Sequence, residues 1–232
     1  MIWNEEILFL HIPRSGGTSV ARALHRRLKG SVFSTVPQPE KLTARRWRRQ
    51  AYRSTGLGPR DITFLHGRHE TLAQAVKILA AHERSLEDFE RIAVISRSPY
   101  EIELSRYQHL RSPANRHDAG LARDIARTTT FSEFLETAPL FGHLPPRLDL
   151  YYRLSEHDPI PANLRRLAFD SLVADFEEHF GRFLTRGPRL GHVNASDRRI
   201  DLDMVYGTVE ENICFERHRW IFDQGWFSRR PH

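Results

Sequence analysis

An α/β fold is predicted, a single domain with a central parallel sheet flanked by helices, and three observations predict it. Short apolar runs rich in β-branched residues alternate with stretches whose apolar residues recur at helical spacing. Three of those runs empty into turns made of Gly, Ser, His and Arg, and parallel sheets collect ligands at the carboxyl ends of their strands. A chain of 232 residues with 40% hydrophobic residues, 14 of its residues Phe, can bury one sizeable core and is short for two. Residues 1–232 are therefore read as one domain.

The elements follow in order. An apolar run from Ile7 to Ile12 is the first strand, and it ends in Pro13-Arg14-Ser15-Gly16-Gly17-Thr18-Ser19. Val20, Ala23, Leu24 and Leu28 then fall on one helical face, which predicts a helix over 18–28. Pro37 and Pro39 mark a loop, 42–52 reads as a basic helix, and Gly56 to Pro59 is another loop. A second strand, 62–65, runs into His66-Gly67-Arg68-His69-Glu70, followed by a helix over 71–82. The third strand, 92–95, ends at Ser96-Arg97-Ser98-Pro99, where a proline suits the first position of a new helix. Further helices are expected over 117–128, 131–136, 164–183 and 205–220, separated by Pro139, Pro145, Pro146, Pro159 and Pro161. The chain carries no repeat, no low-complexity tract and no interdomain linker.

Composition narrows the function classes. The single cysteine, Cys214, excludes an internal disulfide framework and a cysteine-rich zinc site, and reads as a small buried hydrophobe. No stretch approaches the roughly 18 apolar residues that span a bilayer, and Glu5 and Glu6 stand where a signal peptide would be basic. A soluble, cytoplasmic protein is expected. The net charge of +6, concentrated in Arg45, Arg46, Arg48, Arg49 and Arg53, suits an anionic partner, either a nucleotide or a nucleic acid. A solvated basic helix face explains such a run equally simply.

The turn after the first strand has the chemistry of a phosphate or sulfate cradle. Gly16 and Gly17 offer backbone N–H groups, Ser15, Thr18 and Ser19 offer hydroxyls, and Arg14 supplies a fixed cation at a helix N-terminus. An ordinary strand-to-helix turn with Ser or Thr capping would account for the same residues. No Lys follows the glycines, which disfavours a P-loop NTPase. Adjacent glycines behind a proline likewise disfavour a dinucleotide fold. At the end of the third strand, Arg97 and, eight positions on, Ser105 place a bidentate guanidinium and a hydroxyl where one phosphate could meet both.

Taken together, HIPRSGGTSV and SRSPYEIELSRYQHLR resemble the two cofactor-binding elements of the PAPS-dependent sulfotransferases, in the group that includes the carbohydrate and heparan sulfate enzymes. The resemblance covers about the first half of the chain and rests on two separated motifs that agree in content and order. It implies a P-loop-like sulfotransferase fold, a soluble enzyme of bacterial type, and PAPS, 3′-phosphoadenosine 5′-phosphosulfate, as sulfuryl donor. The first element would grip the 5′-phosphosulfate through Arg14 to Ser19. The second would grip the 3′-phosphate through Arg97 and Ser105, with Pro99 and Tyr107 also fitting. A late stretch, Arg189 to Ser196, resembles the family's loop that closes over the cofactor, and brings Arg198 and Arg199 as candidate phosphate ligands.

Sulfuryl transfer needs in-line attack by an acceptor oxygen or nitrogen, a base for its proton and cations on the leaving phosphate, and it requires no metal. The family usually has Lys where this chain has Arg14. Arg keeps the charge but scarcely gives up a proton, so electrostatic stabilisation is expected of it and no general-acid role. For the base, the resemblance points to His66, with His69 and Glu70 as alternatives because Arg68 stands where the family's second His falls. The acceptor is expected to be a small molecule or a carbohydrate, and nucleic acid is not the expected partner. The rival readings are a nucleotide or metabolite kinase on a similar cradle and a noncatalytic nucleic-acid-binding module built on Arg45 to Arg53.

Overall fold

The computed structural model describes residues 1–36, 62–67, 69–112, 121–141, 147–185, 190 and 202–230. The chain packs as two compact units, Met1–Ser96 with Tyr151–Ala195, and Arg97–Leu150 with Ser196–His232.

The first unit is built on a six-stranded sheet of β1 (Ile2–Trp3), β2 (Ile7–Leu10), β3 (Val32–Val36), β4 (Ile62–His66), β5 (Arg91–Ser96) and β6 (Leu164–Ala168), in the order β4-β3-β1-β2-β5-β6. β2, β5 and β6 pair parallel, as do β3 and β4. β1 pairs antiparallel with both β2 and β3. The sheet is thus mixed, where a wholly parallel one was expected: five strands run one way and β1 runs back between them. A two-residue strand next to Asn4 carries no periodic signal, which is why the reversal is invisible in the sequence. The Asn4 side chain builds the return by accepting from the N–H groups of Glu6 at 3.0 Å and Ile7 at 2.9 Å.

The strand alternation assigns the two sheet faces. Ile2, Ile7, Phe9, Ile62, Phe64, Ala93, Ile95 and Leu167 share a core with Val20, Ala23 and Leu24 of α1 (Gly17–Arg27) and Phe176 and Phe180 of α6 (Leu172–Phe180). Their alternates include Trp3, whose ring stacks on Phe33 at 5.1 Å and meets His82, just beyond α2 (Leu72–Ala80), edge-on at 5.9 Å. α2 starts on a reciprocal capping box, Thr71 N–H to Gln74 Oε1 at 2.9 Å and Gln74 N–H to Thr71 Oγ1 at 3.3 Å.

The stretch 164–183 is not one helix. Leu164, Leu167, Leu172, Phe176 and Phe180 keep helical spacing, but 164–168 pairs residue for residue with β5 as β6, and only Leu172–Phe180 is helical. Sheet pairing overrode a periodicity that fits either element.

The second unit is helical: α3 (Pro99–Arg111), α4 (Leu121–Thr128), α5 (Phe131–Phe141) and α7 (Thr208–Asp223). Its apolar core joins Tyr100, Leu104, Tyr107, Ala126, Phe134, Tyr206, Cys214 and Phe222. Cys214 is fully buried, its thiol pKa raised by burial, as its reading as a small hydrophobe expects. Inside this core Glu103 accepts from His218 Nε2 at 3.0 Å and lies 3.8 Å from Arg106 and 3.5 Å from Arg217. The expected basic helix at 42–52 lies outside the described residues. Among the described residues, no helix is long and apolar enough to cross a membrane.

Candidate functional site

Because β2, β4 and β5 run in one direction, the turns that follow them open at the same end of the sheet. The first is the cradle. Between β2 and α1 the backbone is left-handed at Arg14 (φ 63°) and at Gly16 (φ 84°), the N-cap of α1. The arginine bears roughly 1–2 kcal/mol for that conformation. The turn is tied from inside, with Ser15 Oγ donating to the Ile12 carbonyl at 2.8 Å and Ser19 N–H to the Gly16 carbonyl at 3.1 Å.

Both glycines are required on physical grounds. A Cβ on Gly16 would combine a left-handed φ with a 2.9 Å approach to the Phe169 ring, and one on Gly17 would stand 2.1 Å from Cδ2 of His11. Gly17 and Thr18 bring first-turn N–H groups that a helix leaves without intrahelical partners, at its positive end. No acidic residue occupies that first turn. Arg14 and Thr18 are exposed and Ser19 is half-buried, whereas Ser15 is fully buried with its hydroxyl turned into the turn. The arrangement can hold an anion with amides, one hydroxyl at the surface and one guanidinium.

The β4 turn is hydrogen-bonded to the cradle strand. His69 Nδ1 lies 3.0 Å from the His11 carbonyl oxygen, and the two rings meet edge to face at 4.7 Å. A carbonyl only accepts, so in this bond Nδ1 carries the hydrogen and the neutral ring keeps its lone pair on Nε2. The backbone at His69 is left-handed (φ 56°), and its carbonyl accepts from the Tyr151 hydroxyl at 3.1 Å. His66 closes β4; its side chain, like Arg68, lies outside the described residues.

Glu70 is occupied otherwise. It is 4% exposed, accepts from the Thr35 hydroxyl at 2.9 Å and pairs with the Met1 ammonium at 2.6 Å. Burial pushes its pKa up, but the ammonium's charge and hydrogen bond, with that of Thr35, hold it below the usual carboxylate value. Such a carboxylate is a weak base in a shielded position.

At the end of β5, Ser96 Oγ accepts from Arg166 of β6 at 2.9 Å and its carbonyl from Phe169 N–H at 2.9 Å. Arg97 follows in the second unit, where its Nε donates to Glu101 at 3.3 Å. Glu101 and Ser105 are one α3 turn apart on the same side, with Pro99 in the first turn as expected. Tyr107 is core: its hydroxyl donates to the Thr129 carbonyl at 2.9 Å. Arg198 and Arg199 lie outside the described residues, as does the late stretch except Leu190. Among the described residues no group of three or more His, Cys, Asp or Glu side chains is placed to hold a metal ion.

Four residues of this region were not singled out from sequence. His11 stands inside the motif and could have been found there. Tyr151, Arg166 and Phe169 come from the far end of the chain and carried no local signal. Compared with known proteins, the chain matches no family model, no curated protein and no solved structure.

Proposed function

We propose that this chain is a PAPS-dependent sulfotransferase that modifies a hydroxyl or amine of a small-molecule or carbohydrate acceptor. The observation that carries the reading is the β2–α1 turn, where two positions restricted to glycine bring amides and an exposed Arg14 to a helix N-terminus that holds no acidic side chain. The resemblance of this turn, and of Arg97 with Ser105, to the sulfotransferase elements supplies the donor.

When bound, PAPS would supply an activated sulfuryl group for in-line transfer to the acceptor oxygen or nitrogen, with its 5′-phosphate as the leaving group. Arg14 and the amides of Gly17 and Thr18 hold the charge that gathers on that phosphate. Arg97 and Ser105 bind the 3′-phosphate, with the Arg97 Nε held by Glu101 at 3.3 Å. The base is His66, to which the resemblance points, or His69, which would take the acceptor proton on Nε2; what supports His69 over Glu70 is the Nδ1 bond to His11 and the ion pair that occupies Glu70.

Calorimetric titration with 3′,5′-adenosine bisphosphate tests the reading directly. The intact chain should bind, and Arg97→Ala should weaken binding by about tenfold or more, the loss of a charge-assisted phosphate contact. Absence of binding by the intact chain, or tighter binding of ATP with magnesium, would sink it.

A further inference from the structure

The geometry points to Tyr151 as a positioning residue for His69, an inference that rests on the proposed role of His69 as base. Three observations converge on that histidine. Its backbone is left-handed, a conformation that is costly for a residue with a β-carbon and persists only where surrounding structure imposes it. Its Nδ1 is bonded to a main-chain carbonyl on the cradle strand, 58 positions away in the chain. Its own carbonyl is bonded by the Tyr151 hydroxyl from 82 positions away.

Tyr151 is 1% exposed, so its ring is fixed by packing and its hydroxyl is held within reach of the His69 carbonyl. The phenol donates to the carbonyl of the strained residue itself. It thereby fixes the peptide plane that follows His69, and with it the direction in which the imidazole leaves the backbone. The ring then meets the His11 carbonyl through Nδ1, which leaves Nε2 as the proton-accepting atom. Gly17 completes the device from the other side, because the His11 ring occupies the space its Cβ would need. One hydroxyl and one carbonyl, both from outside the β4 turn, thus select the tautomer and the aim of a side chain at the sheet's ligand-collecting end.

A tyrosine that merely satisfies its hydroxyl in a core would affect stability when changed to Phe and nothing else. A positioning tyrosine also affects the histidine's tautomer and the turnover. The test uses the full chain labelled with nitrogen-15 and long-range histidine spectra at pH 8, above the ordinary imidazole pKa of about 6.5, with His69→Gln identifying the signal. The wild type should show His69 protonated on Nδ1 and unprotonated on Nε2. In Tyr151→Phe that pattern should give way to a mixture of tautomers. In sulfuryl transfer from PAPS, kcat should fall about tenfold with KM for the donor unchanged within about twofold. A wild-type His69 protonated on Nε2 overturns the assignment without need of any variant. So does a Tyr151→Phe protein with the wild-type tautomer, or with wild-type kcat. A wild type that transfers no sulfuryl group sinks the proposed function instead, and the spectra alone then decide whether Tyr151 positions His69.

Discussion

Two regions handle charge in opposite ways, the buried carboxylate network of the second unit and the strand-end turns of the first. In the second, Glu103 lies inside the helical core among His218, Arg106 and Arg217, and Glu211 is buried against Tyr100 at 2.6 Å and Arg229 at 2.9 Å. In the first, the sheet end holds Arg14 at the surface and the His69 imidazole half-buried, both on left-handed backbone that is conformationally costly. Charge that closes on itself inside a core serves the fold. Charge held outward on strained backbone is the pattern that functional sites favour.

Three measurements would break or sharpen that contrast. The largest effect is expected at Glu103. Burial pushes its pKa up, but the His218 hydrogen bond and the charges of Arg106, His218 and Arg217 outweigh burial and bring it down to about 2. Glu103→Gln keeps the shape and leaves the buried cations uncompensated, so denaturant unfolding should show a loss of roughly 3–5 kcal/mol. A loss below about 1 kcal/mol would mean that the network is decorative.

His25 comes next. Buried in the first unit, with Nε2 2.8 Å from Ser34 Oγ, it has a pKa lowered to about 4, by desolvation first and the Met1 ammonium second. The unfolded chain takes up this proton near pH 6.5, the folded one only near 4, so its stabilising contribution is complete above 6.5 and is lost as pH falls through that window. Roughly 3 kcal/mol should disappear, and His25→Asn should flatten the slope of stability against pH between those values. An unchanged slope would remove His25 from the account.

The smallest change in stability is expected at Arg14. Arg14→Gly relieves the left-handed strain and should shift stability by no more than about 1 kcal/mol, in the favourable direction. Affinity for 3′,5′-adenosine bisphosphate should nevertheless fall about tenfold. A variant that is destabilised by several kcal/mol yet binds normally would place Arg14 with the structural charges of the second unit.

Much of the sheet was readable from residues alone. β2, β4 and β5 are apolar, β-branched runs bounded by charge or glycine, and the helices that follow them keep their spacing. β3 was missed because the adjacent polar residues Ser34 and Thr35 interrupt the run beside Pro37, although both are buried in the fold. β6 was concealed by a periodicity that continues into α6. The cradle was legible because its residue types stand side by side. Phe169 over Gly16 and Tyr151 on His69 were not, since each contact joins distant segments and nothing local marks either aromatic.

The short reversed strand β1 also has a mechanical meaning. On one side of it stand β3 and β4, on the other β2, β5 and β6, and among the described residues the strand ladder joins the two blocks through Ile2 and Trp3, with the Thr35 N–H to Met1 carbonyl bond at 2.9 Å beside them. With only two residue pairs of ladder on each side of β1, the joint between the blocks is made mostly by the apolar core they share, in which Val32, Ile62 and Phe64 pack with Phe9, Ala93 and Leu167.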